Sequence, residues 1–242
     1  MSAAAPINRT VDLSGYELVD FGCSGSGGSI EAGRAYFNVS RALGLDIDRA
    51  KIAKLEARGF PALEVDLANP IAFKGRVGYS TMLHFLEHLK SVDEVRRAIH
   101  NAITATRKVV LVRYPWFDAD GYLFENGLKF VWSDWRGHAT SLNSLRMWRL
   151  LDSFEQKGLI ARFQIAGRIP IEDSSHKFIV PLNAPIDTLE YDADEHGPKR
   201  RVRFPIRVFQ EIEALLIIDQ RIEPSDFKKL NRGRTVLYDS AE

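Results

Sequence analysis

The sequence predicts an α/β fold: a doubly wound, Rossmann-like sheet that is mostly parallel, with an antiparallel edge strand, plus a C-terminal extension. Apolar runs of strand length alternate with segments of helical period through the first three quarters of the 242 residues, and a glycine cluster follows the first run. Strands that alternate with helices are joined by right-handed crossovers, which produce a parallel sheet covered on both faces. The composition agrees, because 45% hydrophobic and 27% charged residues are typical of a globular protein.

Strands and helices are predicted in alternation as far as residue 114. The strands are short apolar runs between turn residues, and the helices have apolar positions three or four residues apart. Gly59 is expected to end the second helix as its C-cap. The five predicted strands cover residues 16–22, 42–46, 62–66, 77–82 and 108–114. The four predicted helices cover residues 29–38, 49–58, 83–89 and 92–106.

The pattern changes after Pro115, where residues 116–138 are crowded with aromatic side chains. The later predicted elements are a helix at 141–156, two strand-like runs at 160–169 and 178–182, and a last helix at 209–219. The two strand-like runs are expected to form a hairpin at one edge of the sheet.

Three regions are therefore expected. They are an N-terminal arm (1–15), the α/β domain (16–182, containing the aromatic segment 116–138) and a C-terminal extension (183–242). We expect the extension to complete the acceptor side of a site or to mediate formation of a homodimer.

Charge and cysteine content exclude several classes. Thirty-three basic residues balance 32 acidic ones, so no global field favours nucleic acid or an anionic membrane. The basic run 199–203 is short, and we interpret it as a solvated strand edge or an anchor for Glu211 or Glu213. The single cysteine, Cys23, cannot form an internal disulfide. With no signal-peptide pattern and no apolar stretch long enough for a membrane span, a soluble, cytoplasmic protein is expected.

The turn after the first strand has the composition of a nucleotide-binding loop. Residues 22–28 contain four glycines, which let the backbone approach a ligand closely. A Walker loop is excluded because no lysine follows these glycines. The dinucleotide fingerprint fails as well, since Ile30 stands where its third glycine is required after Gly25 and Gly27.

Acidic residues end the next two strands. Asp46 is placed to accept hydrogen bonds from both hydroxyls of a ribose, whereas Asp48 suits the N-cap of the following helix. Asp66 has two interpretations, which the sequence leaves open. It either accepts from the exocyclic amine of an adenine or is a loop acid bound by the amides of its own turn.

Four motifs in order, LVDFGCSGSGGSI, GLDID, EVDL and HFLEHL, make residues 16–182 resemble the class I S-adenosylmethionine-dependent methyltransferases. The sequence departs from that family's pattern at Ser24 and Ser26, which stand at later glycine positions of the loop. It departs again at Gly78, where an acid commonly opens the fourth strand.

The resemblance implies a cofactor, S-adenosyl-L-methionine, and the residues that bind it. Transfer of its methyl group to oxygen or nitrogen of a small-molecule or sugar-like acceptor is implied as the activity. Two alternatives stay open: a non-catalytic protein that binds S-adenosylmethionine as a partner of another chain, and a nicotinamide-dependent oxidoreductase. The implied cofactor-binding residues are Asp20, Gly22, Cys23, Ser24, Gly25, Gly27, Asp46, Ile47, Asp66, Leu67, Met82 and Leu83.

His84 and His138 are the candidate general bases, since a neutral imidazole can take a proton near pH 7. Each also has a structural interpretation, as a junction histidine or a loop histidine that caps a helix. The spacing His84-x-x-Glu87-His88 matches a zinc-peptidase pattern, but no later helix supplies the third ligand, so no metal is expected.

The aromatic segment 116–138 is predicted to be a lid over the acceptor, with Trp116, Tyr122 and Trp135 as binding residues. The alternative is a layer of aromatic side chains that covers the strand ends.

Overall fold

The computed structural model describes residues 10–241, and its centre is an eight-stranded sheet. The strands of the described chain are β1 (Val11–Asp12), β2 (Leu18–Phe21), β3 (Ala42–Asp46), β4 (Ala62–Glu64), β5 (Phe73–Lys74), β6 (Val77–Leu83), β7 (Thr106–Pro115), β8 (Leu128–Phe130), β9 (Arg162–Pro170), β10 (Ile179–Pro181), β11 (Phe209–Ile217) and β12 (Arg234–Asp239). The helices are α1 (Gly28–Phe37), α2 (Arg49–Ala57), α3 (Val92–Ala105), α4 (Asp120–Glu125), α5 (Ser144–Glu155) and α6 (Ala193–His196).

The large sheet has the strand order β12-β9-β11-β7-β6-β2-β3-β4. Strands β4, β3, β2, β6 and β7 run parallel to one another, whereas β11 is antiparallel to both β7 and β9, and β12 is antiparallel to β9. This mostly parallel, doubly wound sheet with an antiparallel edge strand confirms the predicted fold class. The strand order reverses between β2 and β6, which in open α/β sheets is the position of the ligand crevice.

The local sequence accounts for the parallel half. Strands β6 and β7 are buried along nearly their whole length, as expected for strands covered by helices on both faces. The α3 helix begins at Ser91, whose hydroxyl accepts the amide hydrogen of Glu94, and buries an apolar face that includes Ala98 and Ile99. The Asp48 side chain caps α2 as predicted, accepting from the amides of Ala50 and Lys51.

The helix predicted at 209–219 is wrong, because residues 209–217 form strand β11. Apolar residues at 212, 215 and 216 satisfy a helical spacing, which is why the pattern favoured a helix. Insertion between β7 and β9 buries both faces of the segment, and pairing on two sides outweighs local periodicity.

The predicted hairpin of 160–169 with 178–182 is also wrong. Strand β9 pairs with β11 and β12, while β10 pairs with β8 in a separate two-stranded sheet. The helix expected at 83–89 is reduced to a single 3₁₀ turn at Leu86–His88.

The strand pairing can be compared with two of the predicted regions, the N-terminal arm and the C-terminal extension. Of the N-terminal arm, residues 1–9 lie outside the described residues, and β1 pairs in parallel with β5. Strands β11 and β12 belong to the same sheet as β2, so the sheet extends across the boundary expected at residue 182. Within residues 10–241, no helix combines the length and apolar character required to cross a bilayer.

Candidate functional site

A cavity of about 380 Å³ lies where β2, β3 and β6 end and the strand order reverses. Its walls come from the glycine-rich loop, the ends of β3 and β4, and the turn after β6. Of the predicted residues, the lining contains Gly22, Ser24, Asp46, Ile47, Asp66, Leu67 and His84. This volume is within the range of small-molecule sites.

A more open cleft of about 610 Å³ is lined by Arg76, His100 and Arg107, among others. Arg76 and Arg107 flank the starts of β6 and β7, whereas open α/β sheets bind their ligands at the carboxyl ends of the strands. We therefore place the candidate site in the smaller cavity.

Gly22 shapes the floor of the loop. Its backbone is left-handed, with φ of +75°, and a Cβ at this position would lie 2.4 Å from the Phe85 ring. Only glycine meets both conditions, so Gly22 lets the loop and the turn after β6 approach each other. Gly25 packs against Lys51 and Lys54 of α2, and Gly27 is the N-cap of α1.

Asp20 is completely buried and lies beneath the loop. Its two carboxylate oxygens accept hydrogen bonds of 2.5 Å from the hydroxyls of Ser29 and Thr81. These bonds connect β2 to the first turn of α1 and to β6. Burial raises the pKa of Asp20 to about 7, although both hydroxyl hydrogen bonds lower it.

Asp46 and Ile47 form one wall of the cavity. The Asp46 carboxylate accepts the amide hydrogen of Ser24 at 3.3 Å and that of Asp48 at 2.9 Å. Ile47 follows Asp46 directly in the sequence. Its side chain is 63% exposed and lines the cavity beside the apolar side chains of the wall. An exposed aliphatic side chain beside a fixed carboxylate presents an apolar face and a charged acceptor to the same ligand.

Asp66 already binds the amides of its own turn. Its oxygens accept from the amide of Ala68 at 3.0 Å and from the side-chain amide of Asn69 at 2.7 Å. This is the loop-acid arrangement left open above, and the carboxylate nevertheless borders the cavity beside the buried Leu67.

Six of the twelve predicted cofactor residues lie outside the cavity lining: Asp20, Gly25 and Gly27, described above, and Cys23, Met82 and Leu83. Cys23 is buried against Gly44, and burial raises the pKa of its thiol well above the usual range. Met82 is fully buried in the core. Leu83 lines a second recess, of about 330 Å³, together with Gly22, Ser24, Ser29, His84 and Arg113. His84 therefore lies between the two recesses.

His84 adopts a left-handed backbone, with φ of +52°, directly after β6. Its Nε2 lies 2.8 Å from Oε1 of Glu211, and its Nδ1 lies 3.5 Å from Oε1 of Glu87. Desolvation lowers the pKa of His84, but these two carboxylates outweigh it and raise the pKa to about 9. The imidazole is therefore protonated at neutral pH, which argues against the predicted general-base role.

Glu211 belongs to a buried charge network that the sequence did not reveal. Arg113 on β7 and Arg168 on β9 each contact Glu211 and Glu213 on β11, the shortest distance being 2.7 Å between Arg113 and Glu213. Glu211 and Glu213 are two residues apart and share a face. Acidic residues two positions apart lie on one face of a strand, so this spacing indicates a strand. The apolar residues of the same segment favour a helix instead.

His138 lies beside His88, with ring centroids 5.1 Å apart. Its Nδ1 is 3.0 Å from the carbonyl oxygen of Trp132, and burial lowers its pKa, so the ring is neutral near pH 7. Nδ1 must carry the hydrogen in this contact, since a carbonyl only accepts. The lone pair of Nε2 is therefore free to accept.

The aromatic segment is mostly a packed layer. Trp116 is only 4% exposed and contacts Phe209, and Tyr122 packs edge-on against Phe204. Trp135 is half-buried and lies beside His138, with centroids 6.3 Å apart. His138 in turn lies beside His88, which lines the cavity. Of the three predicted acceptor-binding residues, only Trp135 is therefore placed near the site.

The basic run 199–203 does not anchor Glu211 or Glu213, whose partners are the arginines of the sheet and, for Glu211, also His84. Instead, the Lys199 ammonium donates to the carbonyl oxygens of His176 and Ile179 and lies 4.0 Å from the centroid of the Tyr191 ring.

Comparison with known proteins gives similarity in fold. The YcgJ protein of Bacillus subtilis is 12% identical, and the match covers 85% of this chain and 92% of YcgJ with a TM-score of 0.53. An S-adenosylmethionine-dependent methyltransferase of Archaeoglobus fulgidus is 12% identical, with 87% of each chain covered and a TM-score of 0.49. Magnesium protoporphyrin IX methyltransferase of Synechocystis PCC 6803 with bound S-adenosylhomocysteine is 14% identical, with 86% of this chain and 75% of that chain covered and a TM-score of 0.48. No protein-family model and no curated protein matches the sequence.

Proposed function

We propose that this chain is an S-adenosylmethionine-dependent methyltransferase that acts on oxygen or nitrogen of a small-molecule or sugar-like acceptor. The observation that carries the proposal is the wall made by Asp46 and Ile47 beside the glycine-rich loop, at the reversal of strand order. A charged acceptor for two hydroxyls lies there beside an exposed apolar face for a heteroaromatic ring. The four sequence motifs support the same assignment independently.

The residues present fit the adenosyl group. Asp46 would hold the ribose, Ile47 and Leu67 would pack against the adenine, and Asp66 would line its edge. Gly22 and Ser24 would face the methionine portion, while Asp20, Cys23, Gly25 and Gly27 would keep the loop in place from below. When bound, S-adenosylmethionine supplies a methyl group on an already activated sulfonium.

The acceptor would enter through the recess lined by Leu83, His84 and Arg113. His84 and Arg113 make its wall polar, with their nitrogens already facing Glu87, Glu211 and Glu213, so the recess would suit a polar acceptor that carries hydroxyl or amine groups. Leu83 provides the apolar end of the recess. Positioning of two reactants can contribute roughly 7–11 kcal/mol to lowering a barrier, so alignment in this recess would be the main task of these residues.

The first experiment is thermal unfolding of the purified chain with S-adenosylhomocysteine, S-adenosylmethionine and NAD in parallel. A ligand at 100 times its Kd stabilises the folded state by about 2.7 kcal/mol, which gives a measurable rise in Tm. We expect the rise with both adenosyl ligands and none with NAD. A rise with NAD alone would overturn the proposal in favour of an oxidoreductase.

Asp46→Asn tests the wall directly. Loss of charge-assisted hydrogen bonds should weaken S-adenosylhomocysteine binding by about tenfold or more. The matched control is Glu64→Gln, which removes an exposed acid at the end of the neighbouring strand, where it pairs with Arg49 outside the cavity. Equal affinity in the two variants would contradict the assignment of Asp46.

Turnover separates the enzyme from its closest alternative. A screen of hydroxyl- and amine-bearing acceptors should produce S-adenosylhomocysteine from S-adenosylmethionine. Adenosyl-ligand binding with no acceptor consumed would favour the non-catalytic partner protein. The cytoplasmic location, the homodimer and the general-base role of His138 stay predictions.

A further inference from the structure

Three potential metal ligands meet beside the cofactor cavity. Glu87 and His88 belong to the turn after β6, and His138 comes from the segment that precedes α5. A carboxylate oxygen of Glu87 and one ring nitrogen of each histidine all lie within 4.8 Å of one another. The sequence pattern had excluded a metal because no later helix supplied a third ligand, but here the third ligand comes from a loop 50 residues downstream.

Both histidines are oriented by backbone carbonyls. His88 Nδ1 is 2.8 Å from the carbonyl oxygen of Gly137, and His138 Nδ1 is 3.0 Å from that of Trp132. Because carbonyl oxygens only accept, both rings carry hydrogen on Nδ1 and leave Nε2 unprotonated in the neutral form. A fixed tautomer with a backbone partner on the distal nitrogen is the usual arrangement of metal-binding histidines.

The Glu87 carboxylate points independently to a cation at this position. The side chain is 1% exposed, and its Oε2 has no hydrogen-bond partner within residues 10–241. Its Oε1 lies 3.5 Å from His84 Nδ1, so only that oxygen has a polar side-chain neighbour. A buried carboxylate oxygen without a partner is costly, and a cation among the three side chains would supply that partner.

The two segments that carry the ligands are tied together at their backbones. The Thr140 amide donates to the Glu87 carbonyl oxygen at 3.1 Å, and the Thr140 hydroxyl donates to that of Leu89. The His88–Gly137 bond forms a third connection between the segments. The cluster is therefore held by contacts that do not depend on a metal.

We propose that Glu87, His88 and His138 bind a divalent transition-metal ion such as Mn²⁺, Co²⁺ or Zn²⁺. Two imidazoles and one carboxylate suit these ions, whereas Mg²⁺ and Ca²⁺ prefer oxygen ligands alone. Three protein ligands leave coordination positions open to a bound molecule. His88 lines the cofactor cavity, so the open positions would be reached from it.

The role of the ion, unlike its binding, rests on the proposed methyl transfer. His84 lines both the recess and the cofactor cavity, so an acceptor that extends from the recess past His84 would present oxygen atoms, such as a pair of neighbouring hydroxyls, to the ion. The ion would thereby select oxygen-rich acceptors. This use of His138 Nε2 excludes its use as a general base, because both need the same lone pair.

The test uses the full chain without a histidine tag, stripped with EDTA and freed of it by gel filtration. Equilibrium dialysis against Co²⁺ is expected to give one ion per chain, with visible absorption bands of a low-coordinate Co²⁺ complex. Glu87→Gln, His88→Ala and His138→Ala should each weaken binding by more than about tenfold. His100→Ala is the control, since His100 is an exposed histidine of α3 outside the cluster.

Circular dichroism shows whether each variant folds, and the exposed His88→Ala keeps the test decisive if the buried Glu87→Gln does not. Absence of stoichiometric Co²⁺, or equal affinity in wild type and His88→Ala, would overturn the metal site. Thermal shift with S-adenosylhomocysteine on the same metal-free protein is read separately. Co²⁺ binding without that shift would support the metal site and count against the proposed cofactor.

Discussion

Two small features at the end of β2 determine the shape of the loop at the scale of single residues. One is the close approach of Gly22 to Phe85, and the other is the buried acid Asp20 beneath them. A larger side chain at Gly22 would displace the Phe85 ring, and a different charge at Asp20 would alter the hydrogen bonds beneath the loop. Each therefore gives a prediction in which one atom or one charge is changed.

Gly22→Ala should be far more destabilising than a substitution at another left-handed glycine. The added Cβ would lie 2.4 Å from the Phe85 ring, and displacement of that ring should cost about 1–3 kcal/mol beyond the backbone strain. Gly59→Ala is the matched control, because Gly59 has φ of +83° with open space around it. Urea unfolding measures the difference, and equal losses in the two variants would show that the Phe85 contact is unimportant.

Asp20 should make stability fall as pH rises. Its pKa in the folded protein, raised to about 7 by burial, exceeds the ordinary value of 3.8. Burial of the protonated acid therefore contributes fully to the free energy of unfolding below about pH 4. That contribution falls by up to about 1.4 kcal/mol per pH unit as the pH rises, and it is lost once the pH has passed about 7.

Asp20→Asn removes this titration while retaining the size of the side chain. Between pH 5 and pH 8 the free energy of unfolding of the variant should change less than that of wild type. Glu64→Gln, an exposed acid, serves as the control. Parallel profiles for Asp20→Asn and wild type would show that Asp20 is ionised throughout this range.

At the scale of elements, β11 connects the two halves of the sheet and supplies Glu213 to its interior. Glu213 is fully buried and contacts Arg113 on β7, Arg168 on β9 and Arg234 on β12. Because breaking a buried ion network leaves charges without compensation, Glu213→Gln should lower the free energy of unfolding by about 3–5 kcal/mol. Glu172→Gln, an exposed acid, should change it by less than about 0.5 kcal/mol. If Glu213→Gln lowers the free energy of unfolding as little as Glu172→Gln does, solvent must compensate the charges of the arginines.

Strand β11 also shows which elements could not be predicted from the sequence. Strands such as β3 and β7, and helices with local caps such as α2, were predicted within a few residues because their signals are contained in neighbouring positions. Strand β11 was not, since its burial comes from partners such as Arg113, 100 residues away. The candidate site divides in the same way. Asp46 and the glycine loop follow from local motifs, whereas the meeting of His88 with His138 depends on two distant segments.

On the scale of the whole molecule, the position of β11 decides how much of the chain can fold alone. A sheet that lacks β11 leaves β7 and β9 with unpaired backbone groups and exposes buried apolar side chains that neighbour β11, such as Leu111 and Phe163. We therefore expect a chain ending at residue 182 to show no cooperative thermal unfolding, although it contains the motifs of the cofactor site.

A chain ending at residue 218 is the matched comparison. It retains β11 and loses residues 219 onward, among them the edge strand β12 and the buried Phe227 and Leu230, so it should unfold cooperatively at a reduced Tm. Differential scanning calorimetry distinguishes the two chains. Cooperative unfolding of the 182-residue chain would show that the parallel strands form an independent domain and that β11 is an addition to it, not the element that closes the sheet.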